Sequence, residues 1–121
     1  MTLLTLNPTQ QPRTGSAAPV NLTSLMAAGV LGSNTGVSFA NTGREVLFVN
    51  VASGGSTCSI AIGTTIEGQP VTALTPTLTA SAINVLGPFP SDENQPGGTM
   101  QITFGTTANV TVALVQNVGV I

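Results

Sequence analysis

The chain has no histidine, no lysine, no tryptophan and no tyrosine, and its one cysteine is Cys58. Each absence closes a class of function. Without imidazole or amine there is no ordinary general base at neutral pH and no Schiff-base nucleophile, and the many Ser and Thr hydroxyls lack a partner to activate them. No phosphate-cradling glycine motif is present either. The chain therefore reads as a non-enzyme, and no cofactor or catalytic residue is expected. Arg13 and Arg44 are the only cations, too few to neutralise a run of phosphates, and there are no Trp or Tyr rings to stack on bases. Nucleic acid is excluded on those grounds. A lone cysteine forms no internal disulfide, and within TCSIAI it reads as a small buried hydrophobe.

Charge itself is scarce. Only 5% of residues are ionisable as Asp, Glu, Lys or Arg, against about 25% in ordinary soluble domains. Such a chain is not disordered, because 41% of its residues are hydrophobic and disorder combines low hydrophobicity with high net charge. Its surface must be largely Thr, Ser, Asn and Gly, with little charge repulsion to keep copies apart. That favours a protein that lives in an assembly. No apolar run approaches the roughly 18 residues of a membrane helix, so no membrane partner is expected. The opening MTLLTLNPTQQPR lacks the basic start and long apolar stretch of a signal peptide, which points to synthesis in the cytoplasm.

The 121 residues suit one domain. Residues 1–20 hold Pro8, Pro12 and Pro19 among scattered Thr and Gln, and read as an extended N-terminal arm. An arm of this kind either orders across a partner or remains a tail. The domain proper is expected over 21–121. NLTSLMAAGVL (21–31) is the only helix candidate, capped by Asn21 and showing Leu22, Leu25 and Met26 on one face.

After Gly36 the period changes to two. Val37 and Phe39 share a face, and EVLFVNV (45–51) is apolar on both faces in its middle, as a central strand is. Further strands are predicted at about 57–62, VTALTPTLT (71–79), AINVLG (82–87), TMQITFG (99–105) and NVTVALVQ (109–116), with turns at ASGGS and IEGQP. Pro76 assigns its strand to an edge or a bulge. About seven short strands between Gly- and Pro-rich turns predict an all-β sandwich, immunoglobulin-like or jelly-roll.

Two of the four acids, Asp92 and Glu93, are adjacent in VLGPFPSDENQPG (85–97). Calcium requires six to eight oxygens from several positions, and hydrolytic carboxylate pairs come from separate segments flanking a cleft. Neighbours in a Pro-Gly turn fit neither, so the loop reads as a strand connection. Arg44 and Glu45 open the first long strand, where successive side chains take opposite faces.

NTGREVLFVN (41–50), the Gly/Ser turn at 53–56, VLGPFP (85–90) and NVTVALVQ (109–116), in that order, resemble the small head decoration, or cement, proteins of tailed bacteriophages. The resemblance covers about residues 30–116. After GPFP this chain has SDENQPGG where many relatives carry a Tyr. The resemblance implies a strand ending at Gly87, with Pro88 and Pro90 fixing a turn in which Phe89 plugs the end of the sandwich. It also implies a subunit on the virion capsid exterior, bound to the major capsid protein and forming a homotrimer. The arm residues Leu3, Leu4, Leu6, Pro8, Pro12, Arg13, Pro19 and Val20 are the expected capsid contacts. A second class of function, an adhesive or glycan-binding module on a virion tail, fibre or surface, fits the same composition.

Overall fold

The computed structural model describes residues 3–10, 21–63, 65–66, 69–70, 72–89, 95 and 97–116. They form an all-β sandwich of two four-stranded sheets with one short helix. The strands are β1 (Leu3–Thr5), β2 (Thr9–Gln10), β3 (Gly36–Ala40), β4 (Glu45–Val51), β5 (Cys58–Ile60), the small hairpin β6 (Thr65–Ile66) and β7 (Gln69–Pro70), β8 (Ala82–Leu86), β9 (Thr99–Phe104) and β10 (Val110–Gln116). The orders are β1-β3-β9-β5 in one sheet and β2-β10-β4-β8 in the other. In the immunoglobulin arrangement the last two strands pair within one sheet. Here β9 and β10 lie in opposite sheets.

Alternation builds the core. Val37 and Phe39 of β3 with Met100, Ile102 and Phe104 of β9 face Leu47, Val49 and Val51 of β4 and Val110, Val112 and Leu114 of β10, all buried. Side chains two apart on a strand share a face, so each of these strands contributes one buried row. The antiparallel register places Leu47 opposite Leu114, Val49 opposite Val112 and Val51 opposite Val110. β4 is central, between β10 and β8, with Val46 and Phe48 half-buried on its outer face.

Residues 3–10 correct the picture of a detached arm. β1 pairs in parallel with β3, and β2 pairs in parallel with β10. The chain crosses from one sheet to the other within a few residues, and the Leu6 amide donates to the Ser38 carbonyl between the two strands. Leu4 and Leu6 pack on the core. The cause is local: Leu4 and Leu6 keep the period of two, and β3 and β10 each offer an edge to be paired. The rest of the expected arm, 11–20, lies outside the described residues.

The helix α1 (Leu22–Ala28) begins where Asn21 accepts a hydrogen bond from the Ser24 amide, at 3.2 Å, the usual N-cap arrangement. It packs on β10, with Met26 buried. At its end Gly29 lies so close to β10 that any Cβ would run into the Val112 carbonyl oxygen, and the Val112 amide donates to the Gly29 carbonyl.

The segment expected as a strand over 71–79 makes only one bridge, Leu74 with Ile60 at the free edge of β5. It then runs toward β8, where the Asn84 side chain holds the amide and carbonyl of Thr79 at 2.9 and 3.0 Å. Pro76, which has no N–H to give, does not extend the pairing beyond Leu74.

Candidate interaction surfaces

Three features stand out from the hydrogen-bonded scaffold: a polar cap at one end of the sandwich, an apolar strip on one outer face, and an open groove beside β5.

The polar cap follows from the same alternation as the core. Counting back from Val51 through Val49 and Leu47 brings Glu45 to an inward position, and counting forward from Val110 brings Gln116 opposite it. Glu45 is fully buried. Its Oε1 accepts from the Thr42 amide at 2.6 Å, and its Oε2 accepts from the Thr42 hydroxyl at 2.8 Å and the Gln116 side-chain amide at 2.6 Å. Gln10 of β2 donates to the Gln116 carbonyl oxygen at 2.8 Å, so the cap also ties the first residues to the sandwich. Burial by itself pushes the Glu45 carboxyl up, but the hydrogen bonds from Thr42 and Gln116 outweigh it and hold the group below the ordinary glutamate value. Arg44, its neighbour, is exposed, as opposite faces of a strand require. Sequence reasoning placed Glu45 at the start of the strand without noticing that its parity matches the core.

Beside the cap lies the turn 87–89. Gly87 has φ +103°, and a Cβ there would meet the Phe89 ring at 2.9 Å and the Glu45 carbonyl oxygen at 3.0 Å. The Gly87–Pro88 peptide is cis. Phe89 is buried against Phe39, with ring centroids 5.7 Å apart at 51°, and its carbonyl accepts from the Asn41 side chain at 3.1 Å. Pro90, Asp92 and Glu93 lie outside the described residues, as do Pro12, Arg13, Pro19 and Val20. Of the expected contact residues that are described, Leu3, Leu4 and Leu6 belong to β1 and its continuation, and Pro8 is half-buried between β1 and β2. Leu4 and Leu6 pack on the core of their own sandwich, while Leu3 is half-buried.

The apolar strip lies on the outer face of β8 and β4. Ile83 is 52% and Val85 57% exposed, and Val85 stands opposite the half-buried Phe48. On the same sheet α1 packs against β10, where Ala113 and Val115 are buried. No described helix covers β8. Isolated exposed apolar residues are common, but adjacent ones on a sheet face mark contact surface.

The groove, of about 490 Å³, lies between β5 and residues 75–78 and is lined by Ser56, Thr57, Cys58, Thr75, Pro76 and Thr77 among others. Its origin is a broken ladder. Ile60 and Leu74 exchange both backbone hydrogen bonds, at 2.7 and 3.0 Å. The next such pair in an antiparallel ladder is two residues on along each strand, which is Cys58 with Pro76. Proline has no N–H to give, so one of the two bonds is ruled out, and among the described residues the chain makes no further bridge to β5 beyond Ile60–Leu74.

The Cys58 thiol is buried, and burial pushes its pKa up to about 11. Among the described residues no three of His, Cys, Asp or Glu come together, and no helix is long and apolar enough to cross a membrane. No family model, curated protein or solved structure matches this chain.

Proposed function

We propose that this protein is a structural subunit of a virion, a decoration or cement protein that binds the outside of a phage head and strengthens contacts between major capsid proteins. The observation that carries the reading is the pairing of an almost uncharged chain with an uncovered apolar strip, Ile83, Val85 and Phe48. A surface without charge repulsion and with a sheet face open to contact suits permanent assembly better than free diffusion. The motif order from NTGREVLFVN to NVTVALVQ, with its likeness to head decoration proteins, supplies the capsid as partner. Modest contacts repeated at symmetric sites then add up to a large gain in shell stability. Homotrimers at local threefold positions fit this mode of action.

The strip on β8 and β4 takes over the contact role from Leu4 and Leu6, which the sandwich uses internally. The test is a count of this protein against the major shell subunit in purified virions. A ratio near one, with shell stability lost when the protein is washed off by mild denaturant, supports the cement role. A handful of copies per particle moves it to a tail or vertex, and absence from the particle overturns the reading. The hydroxyl-lined groove beside β5 favours the second reading, a glycan-binding module, which a measurable sugar affinity without particle incorporation would support.

A further inference from the structure

We propose that the groove beside β5 is a strand-acceptor site, which takes an extended polypeptide segment from a partner and pairs it with the backbone of Cys58. The Gly105 amide donates to the Thr57 carbonyl, and the Ala61 amide to the Gln101 carbonyl. Residues 57, 59 and 61 therefore turn their hydrogen-bonding groups toward β9. Residues 58 and 60 turn theirs the other way, by the alternation of an antiparallel ladder. Ile60 demonstrates it, since both its groups are taken by Leu74.

Cys58 has no such partner among the described residues. Its N–H and C=O point to the edge of β5, and Pro76, the residue a continued ladder would set against it, makes no bridge there and has no N–H to donate. Cys58 is nevertheless only 4% exposed. The side chain is thus enclosed, while the amide and carbonyl face a groove of about 490 Å³, where an incoming backbone can pair with both. The Thr75 and Thr77 side of the groove is exposed, so access is from solvent.

The occupant is specified by its hydrogen bonds. A donor and an acceptor on one residue, in register with a ladder already made at Ile60, match the repeat of a peptide backbone. Recognition by an added strand draws affinity from those main-chain bonds and specificity from alternate side chains. The floor, with Leu78 and Phe104, takes a small apolar side chain, and the Ser and Thr rim takes a polar one. A charged segment finds no counter-ion among these lining residues. The donor is thus an extended, uncharged segment rich in Thr and Val. Pro76 keeps the groove open by denying it to the protein's own chain. The capsid reading bears only on which protein supplies the donor, and the strand-acceptor site stands or falls separately.

The experiment is a nuclear magnetic resonance titration of the full chain with a capped pentapeptide of alternating threonine and valine. Amide shifts confined to residues 56–59 and 75–78 are expected, with exchange of the Cys58 amide slowed by at least about tenfold, the effect of one hydrogen-bonded contact. P76V restores the missing N–H, closes the ladder onto Cys58 and is expected to abolish the response. T77W, which fills the groove from its exposed rim, is expected to do the same and serves should P76V fold poorly. No response at millimolar peptide, shifts elsewhere, or an equal response in both variants would overturn the proposal. So would a response to maltotriose at the same residues with none to the peptide, which would make the groove a sugar site.

Discussion

Replacing Glu45 by glutamine tests the polar cap with almost no change of shape. The carboxylate accepts three donors, the Thr42 amide, the Thr42 hydroxyl and the Gln116 side-chain amide. Hydrogen bonds to a charged group contribute about 1.5–3 kcal/mol each and neutral ones about 0.5–1.5. Glutamine offers one oxygen in place of two: kept on the Thr42 amide, it makes that bond neutral at a cost of about 1 kcal/mol, while its NH2 faces the Gln116 side-chain amide, whose bond is lost at about 2 kcal/mol. Relief of the buried charge returns part of this. A net loss of about 2 kcal/mol is expected for E45Q, or a fall in Tm of roughly 10 °C for a domain of this size.

The pH dependence supplies a sharper reading. The folded state holds the Glu45 carboxyl below its ordinary value. Its contribution is thus complete above the unfolded value and is lost as pH falls through the folded one. Wild-type stability is expected to decline on acidification through that window, while E45Q lacks this part of the slope. The other acids, Glu67, Asp92 and Glu93, are common to both chains, so the difference between the two urea-melt series at pH 7 down to pH 3 isolates Glu45. Equal stability at pH 7 together with a flat difference would refute the view that the carboxylate is held by its three donors.

Phe89→Ala empties the buried site against Phe39 and is expected to cost about 3–5 kcal/mol in denaturant melts. A cost under 1 kcal/mol would mean that the ring does not fill the sandwich end. Gly29→Ala drives a methyl into the Val112 carbonyl and should destabilise by more than an exposed Gly→Ala change, which is normally neutral or favourable. Thermal melts decide between these signs. With its pKa raised to about 11, Cys58 should resist a disulfide reagent at pH 8 in the native state and react on addition of urea, and rapid native labelling would contradict its burial. Ile83→Asp with Val85→Asp should leave the melting temperature nearly unchanged while lowering self-association in sedimentation experiments. Unchanged association would remove the strip from the interface.

The strands were legible wherever one row of side chains meets the core. Val37 and Phe39 announce their burial by parity, and the apolar runs of 45–51 and 110–115 announce central strands without saying which face is the core; the sandwich follows from having several such strands between glycine and proline turns. Asn21 announces the helix start for an equally local reason, since a side-chain oxygen at that place satisfies an amide the helix leaves free. Glu45 was within reach of the same parity rule, but its burial depends on Thr42 and on Gln116, some seventy positions later, arriving as donors. The pairing of residues 3–10 was hidden because parallel edge pairing needs strands distant in sequence, and Leu4 and Leu6 make too short an alternation to stand out beside two prolines.

Composition alone removes imidazole catalysis and an internal disulfide from consideration, because the first requires a residue type that is missing and the second a second cysteine. Pro76 by itself assigns the expected strand 71–79 to an edge or a bulge. Only the tertiary structure decides that the chain leaves the edge of β5 after its one bridge at Leu74, that the Cys58 amide and carbonyl consequently face an open groove, and that α1 shields β10 while β8 keeps Ile83 and Val85 uncovered. Local pattern determines which face of a strand is apolar. Which edge finds a partner, and which face a covering element, depends on contacts between residues far apart in the chain.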